Sequence, residues 1–475
     1  MSDPSDKPHV PSPLPPERLL ESMATGWAER PPTVTGAFPQ APFHAERRAR
    51  VSERFPGEWI IVPTGGLKVR ANDTDYRFRP GSDFAWLTGY HEPDAVLVME
   101  PVDGGHRAGL FAFQLPSRET KEYFTDVRNS ELWAGARLSL AEVTIALGID
   151  TAPLDQLEET LKRIEGAPAR VVRGYEPRVD ALVAADDDAD KELVRFLAEC
   201  RLVKDAHEIA CLEQAVAATV KGFEDVVRAL PEAVAAATGE RWVEGTFNRR
   251  ARTEGNDVGY ETIAACGHNA CSLHWIKNDG PVRDGDLLLL DAGVEGPELY
   301  TADVTRTIPV SGRFTAEQRE VYEVVLRAQR AGIAACRPGA MFLDPHVVAM
   351  RVIAEWLVEK GILACTVDDA MADDARLYQR YTLHGTSHML GLDVHDCAAS
   401  RDRHRGEALE AGMVLTVEPG CYLRPDDLTV PEQYRGIGVR IEDDVLITED
   451  GRRVLSDALP TDPDEIERWM AALLD

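Results

Sequence analysis

Four apolar runs that begin or finish in carboxylates constrain this chain more than any other feature. DLLLLDAG carries Leu287–Leu290 into Asp291, ADVTRTIPV starts from Asp303, and MVLTVEPG carries Val414–Val417 into Glu418. In IGVRIEDDVLIT the alternation places Arg440 and Glu442 on one face of a strand, with Val439 and Ile441 on the other. A buried strand cannot end in an ionised group unless that charge is solvated, hydrogen-bonded or paired. Between the first two runs lies EGPE, Glu295 to Glu298, a turn signal. If the chain folds back at Gly296-Pro297, Asp291 lies opposite residue 302 and beside Asp303, with opposed Cβ atoms ~5 Å apart. Two like charges that close are unfavourable unless a cation lies between them.

A second cluster sits in YTLHGTSHMLGLDVHD, Tyr381 to Asp396, which holds His384, His388 and His395, three of the chain's twelve histidines. Their spacing fits one helical face, but Gly385 and Gly391 disfavour a helix interior. Beyond Gly391, Leu392 and Val394 alternate with Asp393 and His395, so the segment reads as a glycine-bent loop running into a strand. Four carboxylates and an imidazole form a hard-cation donor set, which favours Mn²⁺, Mg²⁺ or Co²⁺ over a structural Zn²⁺.

A chain of 475 residues has room for two or three domains with large cores. Its net charge of −29 speaks against binding nucleic acid or an anionic membrane. No apolar run approaches the ~20 residues of a bilayer span, and no basic start precedes an apolar stretch. Eight scattered cysteines without a C-x-x-C pair suit a reducing compartment, so the expected location is the cytoplasm.

Residues 1–42 hold ten of the thirty prolines and read as a flexible or surface-draped extension. Residues 43–199 alternate strand-like and helical runs, an α/β domain. A stretch from DADKELVRF to EDVVRAL looks continuously helical, with a junction near Cys200; residues 200–475 follow an α+β pattern. There, Thr315 and Gln318 form a capping box at a helix start, and Pro338-Gly339 marks its stop. A serine hydrolase is excluded, because GTSHM lacks the closing glycine of G-x-S-x-G.

DAGVEGPELYTADVTRT, HGTSHMLGLDVHD, VLTVEPG and GVRIEDD together resemble the ordered metal motifs of the creatinase/methionine-aminopeptidase superfamily, and most closely the Xaa-Pro aminopeptidases (aminopeptidase P, peptidase family M24). The resemblance runs from about residue 43 to the C-terminus and includes RFRPGSDFAWLTGYHEPDAVLV. It implies an α/β N-terminal domain followed by an α+β catalytic domain of the pita-bread fold. Matched position by position, the ligands of two divalent ions fall on Asp291, Asp303, His388, Glu418 and Glu442, with Asp303 and Glu442 bridging. His274 matches a histidine that contacts substrate or transition state, and His384 a substrate-side histidine. His395 matches one that binds or protonates near the scissile amide, and Arg440 an arginine adjoining the last ligand. Trp133 matches a tryptophan that reaches a neighbouring subunit's site, which implies a homo-oligomer, dimer or tetramer. Ala302 departs from the family, which has glycine before the second ligand.

The reaction so implied is hydrolysis of the first peptide bond of peptides with proline second, by a hydroxide bridging two ions, Mn²⁺ first with Co²⁺ or Zn²⁺ as alternatives. Glu418 accepts the water's proton in that scheme. The rival readings are a prolidase restricted to Xaa-Pro dipeptides and a metal-free pita-bread binding module. Methionine aminopeptidase would not need about 150 residues of extra N-terminal domain, and a metal-independent creatinase would not keep all five ligand positions filled.

Overall fold

The computed structural model describes residues 15–474, and the chain divides into two compact units, residues 1–197 and 198–475. The first is built on a five-stranded mixed sheet in the order Asp150–Pro153, Gly105–Ala112, Val96–Val102, Trp59–Pro63, Ala169–Val171. Its middle pairs are antiparallel and both edge pairs parallel. The strand WIIVP is buried along its whole length, as a continuous apolar run requires of a strand covered on both faces. One face packs Trp59, Ile61, Val96 and Val98 against Leu157 and Leu161. From helix Ala41–Arg54, Arg47 and Arg48 donate to the terminal carbonyls of helix Ser82–Thr88, at Trp86 (3.1 Å) and Leu87 (2.7 Å). Those carbonyls have no partner within their own helix.

The proline-rich extension is anchored where it is described. Leu20 packs on Tyr123 and Phe124, and Thr33 donates through its N–H and hydroxyl to Glu142 (2.7 Å each). Glu142 also closes the capping box of helix Leu140–Leu147 with Ser139. The prolines before Pro15 lie outside the described residues.

The second unit holds two three-stranded sheets. Helices Ala206–Arg228, Gly239–Glu254, Ala316–Ala335 and Asp344–Glu359 share a core with the first, while Leu415, Val417, Val445 and Ile447 of the second pack with Ala198, Leu202 and Phe342. One sheet orders Val304–Pro309, Leu287–Ala292 and Ile263–Cys266; the other orders Val414–Val417, Asp443–Thr448 and Gly451–Val454. Alternation divides the faces. Leu288, Leu290, Val304 and Ile308 enter the core under the helices, whereas Leu289 joins a separate cluster with Ile263 and Tyr422. Asp291, Thr305 and Thr307 share that second face.

Three readings need correction. The helical run is two helices, Asp187–Leu202 and Ala206–Arg228, because Asp205 caps the second in a reciprocal box with Glu208. The run IGVRIEDDVLIT is two strands, Ile437–Arg440 and Asp443–Thr448, with Glu442 at the break between them. The tail of the histidine segment is not a strand; only Met389 bridges a neighbour, Leu415, and residues beyond it bend. The box of Thr315 and Gln318 forms at helix Ala316–Ala335.

Candidate metal centre

The acidic hairpin turns later than its Pro-Gly signal suggests. Asp291 stands opposite Thr305 rather than residue 302, and Glu295 opposite Thr301, so the fold-back centres on Glu298. Leu299 takes a left-handed φ of 69° there and is buried, so packing overrides its backbone preference. The shift of three residues decides the chemistry. With side chains alternating, residue 303 shares a face with Thr305, and therefore with Asp291; opposite residue 302 it would point away. The two carboxylates become diagonal neighbours. Tyr260 spans them, its hydroxyl 2.6 Å from Asp291 Oδ1 and 2.5 Å from Asp303 Oδ1. A phenol has one proton, so it satisfies only one of these carboxylates at a time.

The last strand pair adds Glu442 and Arg440. Thr305 Oγ1 donates to Glu442 Oε2 at 2.6 Å. Arg440 donates to Asp291 Oδ2 at 2.5 Å, to the Tyr422 hydroxyl at 2.8 Å and to Thr305 Oγ1 at 3.2 Å. Tyr422 faces His384 Nε2 at 2.8 Å, while His384 Nδ1 faces the Gly385 carbonyl at 2.8 Å. A carbonyl only accepts, so Nδ1 carries a proton, which also faces Glu418 Oε2 at 3.4 Å.

His388 is drawn in by backbone pairing. The Thr416 N–H donates to its carbonyl and the Glu418 N–H to the Thr386 carbonyl, which lays the histidine segment along strand Val414–Val417. His388 Nδ1 lies 3.1 Å from the Met389 carbonyl, which fixes a proton there and leaves Nε2 as the ring nitrogen facing the acids. That Nε2 is 3.2 Å from Asp303 Oδ2 and 3.6 Å from Glu418 Oε1. Ligand atoms of Asp303, His388 and Glu442 all fall within 4.8 Å of one another. A proton on Nε2 bonds Asp303, and once it leaves, Nε2 is a lone-pair donor among carboxylates, so this donor set fits a divalent metal.

Charge tells the same story. Burial raises the Asp291 carboxyl, with Asp303 adding to it against Arg440. Burial together with Asp303, Glu418 and Asp291 raises Glu442 well above the carboxylate range. Burial opposes ionisation of Glu418 too, but bonding to His384 and the charges of His384 and His388 hold it down at about 2. For His388, burial disfavours the cation, yet Asp303 and Glu418 raise it to about 9. Protons are thus shared among acids that a bound cation would leave fully ionised.

All five of these residues line one cavity of about 490 Å³, together with His274, His384, His395 and Arg440. The His395 ring stands edge-on to His388, centroids 4.5 Å apart. Ile263, Leu273, Ile276 and Val394 form an apolar wall, and Arg401 and Arg405 a cationic end. Trp133 is on the N-terminal unit, 55% exposed, with its indole N–H donating to the Phe124 carbonyl; it does not line this cavity. Ala302, the departure from the family pattern, packs its methyl against Ala215 and Val216. Sequence reasoning missed Tyr260, Tyr422, Thr305 and the two arginines. A Tyr or Thr in a strand gives no sign of pointing at carboxylates; Arg401 and Arg405 in RDRHR carried a detectable charge signal.

Residues 210–449 match the model of metallopeptidase family M24, and residues 44–172 that of the aminopeptidase P N-terminal domain. The chain is 52% identical over 460 residues to Xaa-Pro aminopeptidase 1 of Streptomyces coelicolor, covering 96% of this chain and 92% of the relative. The solved aminopeptidase P of Escherichia coli with the inhibitor Pro-Leu superposes with a TM-score of 0.80 at 33% identity, covering 92% of this chain and 99% of that one. A zinc-substituted E. coli aminopeptidase P in complex with product gives 0.79, at 33% identity and with the same coverage of 92% and 99%.

Proposed function

We propose that this chain, which belongs to metallopeptidase family M24 and within it to the Xaa-Pro aminopeptidases, uses two divalent ions to hydrolyse the first peptide bond of peptides with proline second. Asp291, Asp303, His388, Glu418 and Glu442 would hold them, with Asp303 and Glu442 shared, and Mn²⁺ is the first choice ahead of Co²⁺ or Zn²⁺. The observation that carries this reading is the convergence of His388 Nε2 with the buried carboxylates of Asp303, Glu418 and Glu442. Bound there, the ion pair supplies a water acidified enough to attack as hydroxide near neutral pH, and polarises the scissile carbonyl.

The chain's own residues do the rest. Glu418 takes the proton of the attacking water on a carboxylate oxygen. Arg440 donates to Asp291, which favours its ionised form against burial and holds it in place. Through Tyr422 it also holds the His384 ring in place at the cavity. His274 and His395 stand on the cavity wall; His274 contacts the developing oxyanion, and His395 delivers a proton towards the leaving proline nitrogen. The apolar wall excludes water around these transfers.

The wider reading places the enzyme in the cytoplasm as a homo-oligomer in which Trp133 reaches a neighbour's cavity. Eight free cysteines and the exposure of Trp133 support it, and among the described residues no helix is long and apolar enough to cross a membrane. The test is cleavage of Arg-Pro-Pro and of Gly-Pro, with chelator and with added Mn²⁺. The tripeptide should lose its N-terminal arginine only when metal is present, and Asp291→Ala should abolish turnover while leaving the fold. Metal-independent cleavage, or a fully active Asp291→Ala, refutes the site; cleavage of the dipeptide alone makes the enzyme a prolidase.

A further inference from the structure

Glu240, in the first turn of helix Gly239–Glu254, is wholly buried and lines no part of the cavity. Its Oε1 accepts from the Cys266 N–H and from Asn269 Nδ2, both at 2.8 Å. Its Oε2 accepts from the Trp275 indole N–H at 2.8 Å and from the Gly280 N–H at 2.7 Å. All four donors belong to one stretch, Cys266 to Gly280, and the Gly280 carbonyl accepts in return from the Glu240 N–H at 3.2 Å. A Cβ at Gly280 would stand 2.7 Å from Glu240 Oε2, so glycine is what permits the approach. His274 sits inside this stretch, beside Trp275 and on the cavity wall. Among the described residues, no side chain hydrogen-bonds the His274 ring, so its place depends on the backbone that carries it.

We propose that Glu240 is the positioning residue that sets His274 in the cleft, and this rests on the reading of His274 given above. Chemistry explains why a carboxylate is required. Four N–H groups converge, two on each oxygen, and only an ionised acid accepts at both ends. Glutamine would turn an NH₂ towards two of those donors, exchanging two attractions for two donor–donor repulsions at full burial. The stretch would shift, and a displacement of ~1 Å at a group that meets the transition state costs about 10²-fold in rate.

A double-mutant cycle on Arg-Pro-Pro with added Mn²⁺ tests this, using Glu240→Gln, His274→Ala and both together. Glu240→Gln should lower kcat/KM about 10²-fold and divide the loss between kcat and KM as His274→Ala does. In the His274→Ala background the same substitution should change the rate by less than about threefold, because the group it positions is gone. A wild-type rate in Glu240→Gln, or a further 10²-fold loss on top of His274→Ala, overturns the proposal. Full activity in His274→Ala instead overturns the reading of His274 itself. If Glu240→Gln yields no folded protein, Trp275→Phe deletes one of the four donors and keeps most of the ring. It should cost about tenfold alone and nothing beside His274→Ala; an unchanged cost in both backgrounds overturns the proposal as well.

Discussion

Replacing Lys204 with Met tests whether a buried ion cluster holds the histidine loop. The Lys204 and Asp396 side chains are 0% and 1% exposed, with Nζ 3.0 Å from Asp396 Oδ2. Lys204 also donates to the Arg201 carbonyl at 2.7 Å, and Arg201 pairs with Asp396 Oδ1 at 3.0 Å. Removing one partner of a buried pair costs ~3–5 kcal/mol. Lys204→Met leaves Arg201 on the carboxylate, so the cost belongs near ~3 kcal/mol. Asp396→Asn strands Lys204 and leaves Arg201 with Asp393, 3.3 Å away and partly exposed, so it belongs nearer ~5 kcal/mol. At ~2–4 °C per kcal/mol for domains of this size, the lysine variant should melt about 6–12 °C lower in circular dichroism at fixed scan rate. Acid supplies a second check. Burial opposes ionisation of Asp396, but Arg201 and Lys204 hold its pKa down at about 2. Such a carboxylate stabilises the fold above its unfolded value near 4, and that contribution disappears as pH falls from about 4 through 2. The gap between wild type and Lys204→Met should therefore narrow across that window. A variant within about 2 °C of wild type at pH 7, or an asparagine variant milder than the methionine one, refutes the argument.

Tyr260→Phe removes the hydroxyl proton that Asp291 and Asp303 share; Mn²⁺ affinity by calorimetry on chelator-stripped protein should weaken about 10–100-fold, with the melting temperature nearly unchanged. Gly293→Ala puts a methyl into the Ala302 carbonyl across the acidic hairpin, so it should lose activity and at least ~2 kcal/mol of stability in urea titration. Hydrogen exchange should slow in strands Leu287–Ala292 and Val304–Pro309 on adding Mn²⁺ and stay constant in Trp59–Pro63, since binding protects what it touches.

What could be read in advance follows from the range of each interaction. Asp291, Asp303 and Glu418 were legible because an apolar run beginning or ending in an acid is a local pattern. The register between them was not, since Gly296-Pro297 is a strong turn signal and only tertiary packing puts buried Leu299 into a left-handed bend. The strand expected at Leu392 and Val394 failed for a related reason. Four alternating residues weigh little against Lys204 and Arg201, nearly two hundred positions earlier, which gather Asp396 and with it the loop. A Cβ at Gly391 would overlap that Asp396 carboxylate, which explains the glycine better than a bend into a strand does. The break before Ala206 was available in the sequence: DAHE is itself a capping-box signature, outweighed by the helical periodicity on either side.

Charge connects these particulars to the chemistry. Behind the four cavity acids lies Asp444, buried, whose Oδ2 accepts from the Asp303 N–H at 3.1 Å. Against these acids the described residues set Arg440, the imidazoles and, at the cavity's end, Arg401 and Arg405. A unit that has to bury this much like charge is destabilised in proportion to how little of it is compensated. Hydrogen bonds from Tyr260, Thr305 and Arg440 orient the carboxylates but cannot cancel their number. The compensation that remains is a cation, and the arrangement that most needs one is also the one that can activate a water beside it. On the proposed reading, the acidic strand ends that look like a folding liability in the sequence become the source of the activity: the core under the helices supplies the free energy that would keep them together until metal is bound.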